Sequence, residues 1–240
     1  MQAVPAIVRR RRERTFYIAM SLAILITVFA GFAPTYYLRP FYTPTSLIPL
    51  LHLHGLVFTS WLVLFMVQTT LVATHRTDIH RRLGIAGGVI ASLMLVVGVI
   101  TALIRANQGA TPIPDVSPLS FLVIPLGDMF VFAILISAGF YFRRRTDVHK
   151  RLMMLATISI LGAAIARLPF AIMQAGPPAF FGFTDLFVLA CIVYDLVTLR
   201  RVHRATGLAA FLIIASQPLR LAIASTGAWL SFAGWLVRLV

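Results

Sequence analysis

Apolar residues fall along the chain in seven blocks, near residues 16–34, 46–74, 83–104, 119–142, 152–173, 179–199 and 205–226, with the Pro, Gly and charged residues concentrated between them. Each block is long enough to cross a hydrocarbon core about 30 Å thick at about 1.5 Å rise per residue. The pattern predicts an all-α fold, a polytopic transmembrane bundle of seven spans occupying 16–226. As one helix, the residues from Ala205 to Val240 would run about 54 Å, too far for one span. Residues 227–240, with Trp229, Trp235 and Arg238, are therefore assigned to an interfacial tail. Residues 1–15 form a basic N-terminal segment. The apolar run from Phe16 to Ala33 exceeds a usual signal-peptide core, and Pro34 follows the point where cleavage would fall. It is read as a retained first span.

The connections repeat. Arg76-Thr-Asp-Ile-His80-Arg-Arg-Leu83 returns as Arg145-Thr-Asp-Val-His149-Lys-Arg-Leu152, and Arg200-Arg-Val-His203-Arg is a weaker third copy. Each copy joins a span running toward the basic side to one running away, which predicts one helix followed by three related hairpins. Asp78 and Asp147 stand where they can cap the helices that follow.

Charge orients this bundle. The chain is 60% hydrophobic and 12% charged, with mean hydropathy +0.92, so water is not the solvent for most of its surface. A net charge of +14 raises nucleic acid as a partner, but the basic residues lie in short runs between apolar blocks, as membrane topology requires. With the N-terminus in the cytoplasm, 16 of 21 basic residues fall on the inner side, and only Arg39, Arg105 and Arg238 on the outer. That bias predicts a multi-pass protein of a bacterial inner membrane with anionic headgroups as partners at its cytoplasmic face. Tyr36, Tyr37, Phe41 and Tyr42 in the first outer loop fit an aromatic belt or a lid. Cys191 is the sole cysteine, so neither a disulfide framework nor a thiolate metal cluster arises.

Ionisable residues inside spans cost several kcal/mol unless paired or hydrated. Asp128 and Asp185 each precede an inner-boundary arginine by 15 residues, which places them about 22 Å above it. Arg167 and Arg220 follow His149 and His203 by 18 and 17 residues, or about 26 Å. His54, and His52 near it, reach a similar depth, and Gln174 and Gln217 are within range. If the hairpins pack around a common centre, these groups converge in one outward-facing polar pocket. Two readings stay open: Asp–Arg pairs that fasten the hairpins, or a site in which arginine holds an anionic or carbonyl-bearing small solute while carboxylate and imidazole position it. Pro169 and Pro218, two residues from these arginines, predict helix bends at that depth.

Histidine raises metal and haem. His52 and His54 point about 200° apart in a regular helix, so both chelate one ion only if the span starts irregularly, as Pro44 and Pro49 allow. Asp128 or Asp185 would then complete a copper, zinc or iron site. His75, His80, His149 and His203 sit in turns or at helix starts, too shallow for a transmembrane pair of haems, though a single haem near the inner face stays open. Lys150, the sole lysine, lies at the surface, which leaves no buried amine for a retinal Schiff base. No nucleophile–base pair or metalloprotease spacing appears, so the reading leans away from an enzyme.

His54-Gly55, His80 to Gly84, Pro125 to Asp128, His149 to Met153 and Ala166 to Pro169 together resemble motifs of a group of uncharacterised bacterial multi-spanning inner-membrane proteins, over most of residues 46–220. That resemblance implies the membrane fold and no activity. The His-Arg-x-Leu turns are also similar to those of small membrane proteins implicated in haem–copper oxidase assembly, which would imply haem or copper at these histidines. The function expected is binding, transport or accessory handling of a small solute at the outer pocket, with haem- or copper-based redox or assembly work as the alternative.

Overall fold

The computed structural model describes residues 6–43, 45–111 and 116–240, excepting the side chains of residues 6–10 and 174. Pro44 and the Gln174 side chain, both named above, lie outside the described residues. Among those described, seven helices are long and apolar enough to cross a membrane: α1 (Arg11–Tyr37), α2 (Pro49–Ala73), α3 (Thr77–Asn107), α4 (Pro118–Tyr141), α5 (Thr146–Ile165), α6 (Pro177–Leu199) and α7 (Arg204–Ile223). The chain is thus a multi-pass, all-α membrane bundle. The tail forms a short apolar helix, α8 (Gly227–Val237), which packs on α3 and α4 and donates Trp229 Nε1–H to the Leu119 carbonyl at 2.9 Å.

The helix containing α1 already starts at Ala6, so Arg11 to Arg14 ride on the first span rather than on a separate segment. The pairs α2–α3, α4–α5 and α6–α7 pack as hairpins. They do not surround an open centre. Contacts close a ring in the order α1, α2, α3, α4, α7, α6 and back to α1. Inside it stands α5, which packs on α1, α4, α6 and α7, accepts the Trp61 indole N–H from α2 on Thr157 Oγ1 at 3.3 Å, and meets α3 through His149 and His80.

This placement explains why α5 is the least apolar span: 67% of its apolar stretch is buried in protein, against 22–50% for the other six. Leu155, Ala156, Thr157 and Ile158 are fully enclosed. The ring helices turn large side chains outward, among them Ile26, Leu56, Ile85, Phe130, Leu186 and Phe211, and such a girdle suits hydrocarbon rather than water. A helix shielded from lipid on every side has no need of it.

α5 is also broken. Its regular helix stops at Ser159 and resumes over Gly162–Ile165, the interval being tightened by the Leu161 N–H donating to the Ile158 carbonyl at 3.0 Å. The predicted bend at Pro169 is not a helix bend: Pro169 lies beyond the end of α5, whereas Pro218 sits inside α7. Two of the basic-end turns use non-glycine residues in the left-handed region, His75 at φ 63 and Arg200 at φ 60, which lets each span stop abruptly. Asp78 and Asp147 are not the N-cap residues. They fall in the first turns of α3 and α5, whose N-cap residues are Arg76 and Arg145, and act on those termini from inside the helix, by charge and, for Asp147, through the backbone N–H groups of Asp147 and Val148.

Candidate functional site

At the end of the bundle away from the basic turns, the structure divides the predicted pocket in two. On one side of α5, Arg220 of α7 donates from Nη1 to Asp128 Oδ1 of α4 at 2.5 Å. The same nitrogen reaches the Ile124 carbonyl at 3.3 Å, and Nη2 donates to Ser216 Oγ at 2.7 Å. Both residues are buried, and the guanidinium also lies over the Phe181 ring of α6 at 5.2 Å. The carboxylate runs beside Gly162 at the α5 break, 3.8 Å from where a β-carbon would stand. Asp185 of α6 accepts from Gln217 Nε2 at 2.8 Å rather than from an arginine. This half ties α4, α6 and α7 together, with Arg220 paired to Asp128 and the second carboxylate, Asp185, held by an amide.

On the other side stands Arg167, just past α5. It is not paired with Asp128 or Asp185. Its guanidinium lies over the Phe32 ring of α1 at 4.9 Å and donates Nη1–H to the Ala163 carbonyl at 2.6 Å. No ion pair neutralises it among the described residues. The His54 imidazole of α2 and the Arg105 guanidinium of α3 are within electrostatic reach of it. His54 stacks on Phe58 at 4.1 Å, and its Nδ1 is buried without a hydrogen-bond partner, as is Thr101 Oγ1 on α3. This half gathers two cations and an unpartnered imidazole nitrogen, with no carboxylate among the described residues paired to Arg167 or Arg105.

The end of α1 packs on the start of α2. Ala33–Tyr37 is a π-helical turn, a form that recurs at functional positions. Tyr36 donates its hydroxyl to the His52 carbonyl at 3.2 Å, its ring filling the space that a β-carbon on Gly55 would take. Tyr37 reaches Thr59 Oγ1 at 2.8 Å. Phe41 and Tyr42 remain exposed.

The joint His52–His54 metal site fails on geometry. α2 is helical from Pro49, so the two rings leave it on different sides, and His52 is exposed while His54 is half-buried. No group of three or more His, Cys, Asp or Glu positioned for an ion exists among the described residues.

The basic end holds a second buried pair, which sequence reasoning missed. Arg151 of α5 donates to Asp195 of α6 through Nε, at 3.1 Å to Oδ1, and through Nη2, at 2.5 Å, while Nη1 donates to the Asp147 carbonyl at 2.8 Å. Asp195 Oδ2 further accepts from Thr206 Oγ1 at 2.5 Å and from the His203 backbone N–H at 3.2 Å. A cavity of about 10 Å³ beside the pair, bordered by Tyr17, Cys191 and Tyr194, has room for about one water. Of the four histidines here, His203 pairs with Asp147 at 3.2 Å, His75 contacts Arg14, and His80 and His149 meet each other.

Along α1 at this end runs an open groove of about 810 Å³. Arg11, Arg14, Thr15 and His75 line its polar end, and Ile18, Ala19 and Leu22 continue it along the span.

Comparison with family models, curated proteins and solved structures finds no match to this chain.

Proposed function

We propose that the chain is a bacterial inner-membrane protein, its basic end in the cytoplasm, that binds a small anionic or carbonyl-bearing solute at the outer end of the bundle through Arg167. What carries this reading is that Arg167, unlike Arg151 and Arg220, has no carboxylate paired with it among the described residues. Arg151 and Arg220 each have one within 2.5 Å. A guanidinium presents five donors in a planar fork suited to a carboxylate or phosphate, and Arg167 spends one of them on the protein. His54 adds a polar nitrogen that lacks a protein partner, and Arg105 adds a second positive charge nearby. A solute anion would satisfy all three.

Asp128 and Arg220, across α5 from Arg167, then serve as a helix fastener rather than as ligands. Asp185 is likewise a helix fastener, held by Gln217. The function follows as solute binding in the service of sensing, transport or an accessory role. Purified protein titrated calorimetrically with a panel of small carboxylates, phosphate and sulfate tests it. Binding that Arg167→Gln removes and Arg39→Gln leaves intact supports the reading; no binding by any member, or binding indifferent to Arg167, refutes it.

At the opposite face the groove along α1 suits an anionic phospholipid, with Arg11 and Arg14 at headgroup depth and Ile18, Ala19 and Leu22 along an acyl chain.

A further inference from the structure

The two best-matched copies of the repeated turn each carry a histidine followed by two basic residues and leucine. In the folded chain these two histidines meet. His80, in the first turn of α3, and His149, in the first turn of α5, have ring centroids 6.3 Å apart and planes at 81°. Both are half-buried.

Their hydrogen bonds leave lone pairs without protons to accept. His149 Nδ1 lies 2.7 Å from the Gly139 carbonyl of α4. A carbonyl only accepts, so Nδ1 carries the hydrogen and Nε2 keeps its lone pair free; metal-binding imidazoles are commonly oriented by such a bond. His80 Nδ1 is buried with no partner. Gln68 of α2 is beside it, donating Nε2–H to the His80 carbonyl at 3.2 Å, and the Gln68 Oε1 is likewise buried and unpartnered. Three helices, α2, α3 and α5, thus bring together two imidazoles and an amide oxygen whose acceptor capacity the protein does not use. Orphaned buried polar atoms are uncommon and each calls for an occupant.

The centroid separation leaves room for one ion when a nitrogen of each ring turns toward it. With metal–nitrogen bonds of about 2.0 Å and a nitrogen roughly 1.1 Å from its ring centre, two imidazoles on opposite sides of an ion have centroids about 6.2 Å apart.

We propose that His80 and His149 bind a single cuprous ion at the basic end of the bundle, with Gln68 Oε1 as a weak third ligand. Imidazole suits late first-row metals and not magnesium or calcium, which want several oxygens. The ligand set is neutral and Arg81 is next in sequence to His80, while Lys150, beside His149, is paired with Glu13 at 2.6 Å, so a monovalent ion is favoured over a dication that would lack a balancing carboxylate among these ligands. The soft thioether of Met153, one turn beyond His149, lies against Gly139, in keeping with copper(I). This site is independent of the outer solute site.

The test uses the full chain, purified in detergent, stripped with a chelator and titrated anaerobically with copper(I) against a chromophoric competitor, with zinc(II) in parallel. One equivalent of copper(I) is expected. His80→Ala and His149→Ala should each weaken it at least tenfold and Gln68→Leu less, while His52→Ala, at the other end, leaves it unchanged. X-ray absorption on the copper-loaded wild-type protein should show two imidazole nitrogens, a readout that does not depend on any variant folding. Substoichiometric copper, undiminished binding in both histidine variants, or a copper shell without imidazole overturns the site. Histidine-dependent zinc binding without copper binding overturns the cuprous assignment.

Discussion

Arg220 meets Asp128 across α4 and α7 with 2.5 Å between Nη1 and Oδ1, both buried, beside the glycine where the central helix resumes. Removing one member would strand the other's charge in a low-dielectric interior, whereas removing both removes the problem. Asp128→Ala and Arg220→Ala should therefore each cost about 3–5 kcal/mol of stability, and the paired change Asp128→Leu with Arg220→Met should lie closer to wild type than either. Unfolding in mixed detergent micelles measures all three. Additive losses would mean that the two groups are not coupled as drawn.

Asp195 sits in a still fuller set of bonds, accepting from Arg151, Thr206 and the His203 backbone. Its loss should uncouple α5, α6 and α7 at the basic end. Asp195→Ala should be among the most damaging single substitutions in the chain, at about 3–5 kcal/mol. Thr206→Val, which removes one donor of nearly the same shape, should cost about 1 kcal/mol. Equal effects from the two would argue that the carboxylate is not the hub.

Residues with one environment were legible in the sequence, and residues with a neighbour-dependent one were not. Seven spans and the hairpin pairing followed from block length and from the repeated basic turns, because lipid contact imposes apolarity span by span. The enclosure of α5 depends on which helices surround it, and its excess of small and polar residues such as Thr157 and Ser159 was the available signal. Depth counting put Asp128 and Arg220 near one level, and they do pair. It put Arg167 at that level too, yet depth along a helix says nothing of which side of α5 a residue faces. Asp195 stands five residues before Arg200, close enough to the basic turn to pass for part of it. An acidic residue flanked by Tyr194, Leu196 and Val197 was nonetheless a signal that it is buried against a partner.

Arg167 should behave unlike the paired arginines. Since no carboxylate among the described residues depends on it, Arg167→Gln should unfold close to wild type while abolishing solute binding, and Arg220→Gln should destabilise the protein outright. His54→Ala is expected to weaken the solute severalfold without matching the loss at Arg167, since it removes a neutral partner rather than the countercharge. Calorimetry on detergent-purified variants, paired with an unfolding curve for each, separates the two roles. A strongly destabilised Arg167→Gln would place this arginine with the fasteners instead.

The groove beside α1 predicts selective retention of lipid. In nanodiscs of mixed phosphatidylglycerol and phosphatidylcholine, native mass spectrometry should find the anionic lipid enriched on the wild-type chain. Arg11→Gln with Arg14→Gln should reduce that enrichment, and Arg200→Gln with Arg201→Gln, which removes the same charge from another turn, should not. Free inorganic phosphate at millimolar concentration should fail to compete, because Ile18, Ala19 and Leu22 give an acyl chain a place that phosphate cannot use. Equal losses in the two double variants would reduce the effect to general surface attraction.

Three glycines test how closely the helices approach. A β-carbon on Gly31 would stand 2.1 Å from the Ala164 carbonyl oxygen and 2.8 Å from its carbon, both backbone. Gly31→Ala must then push α1 away from α5 and, with it, Phe32 away from Arg167. On Gly55 the obstacle is also 2.1 Å away, but it is the Tyr36 ring, which can swing aside at the cost of its hydrogen bond to the His52 carbonyl. Around Gly84 there is open space, so alanine there gains helix propensity of about 0.5–1 kcal/mol. The expected order of unfolding stability is Gly31→Ala lowest, by about 2 kcal/mol or more, then Gly55→Ala, then wild type, with Gly84→Ala at or above it. A Gly31→Ala protein as stable as wild type would show that α1 does not lie against α5 at this level, and the seat of Arg167 over Phe32 would fall with it.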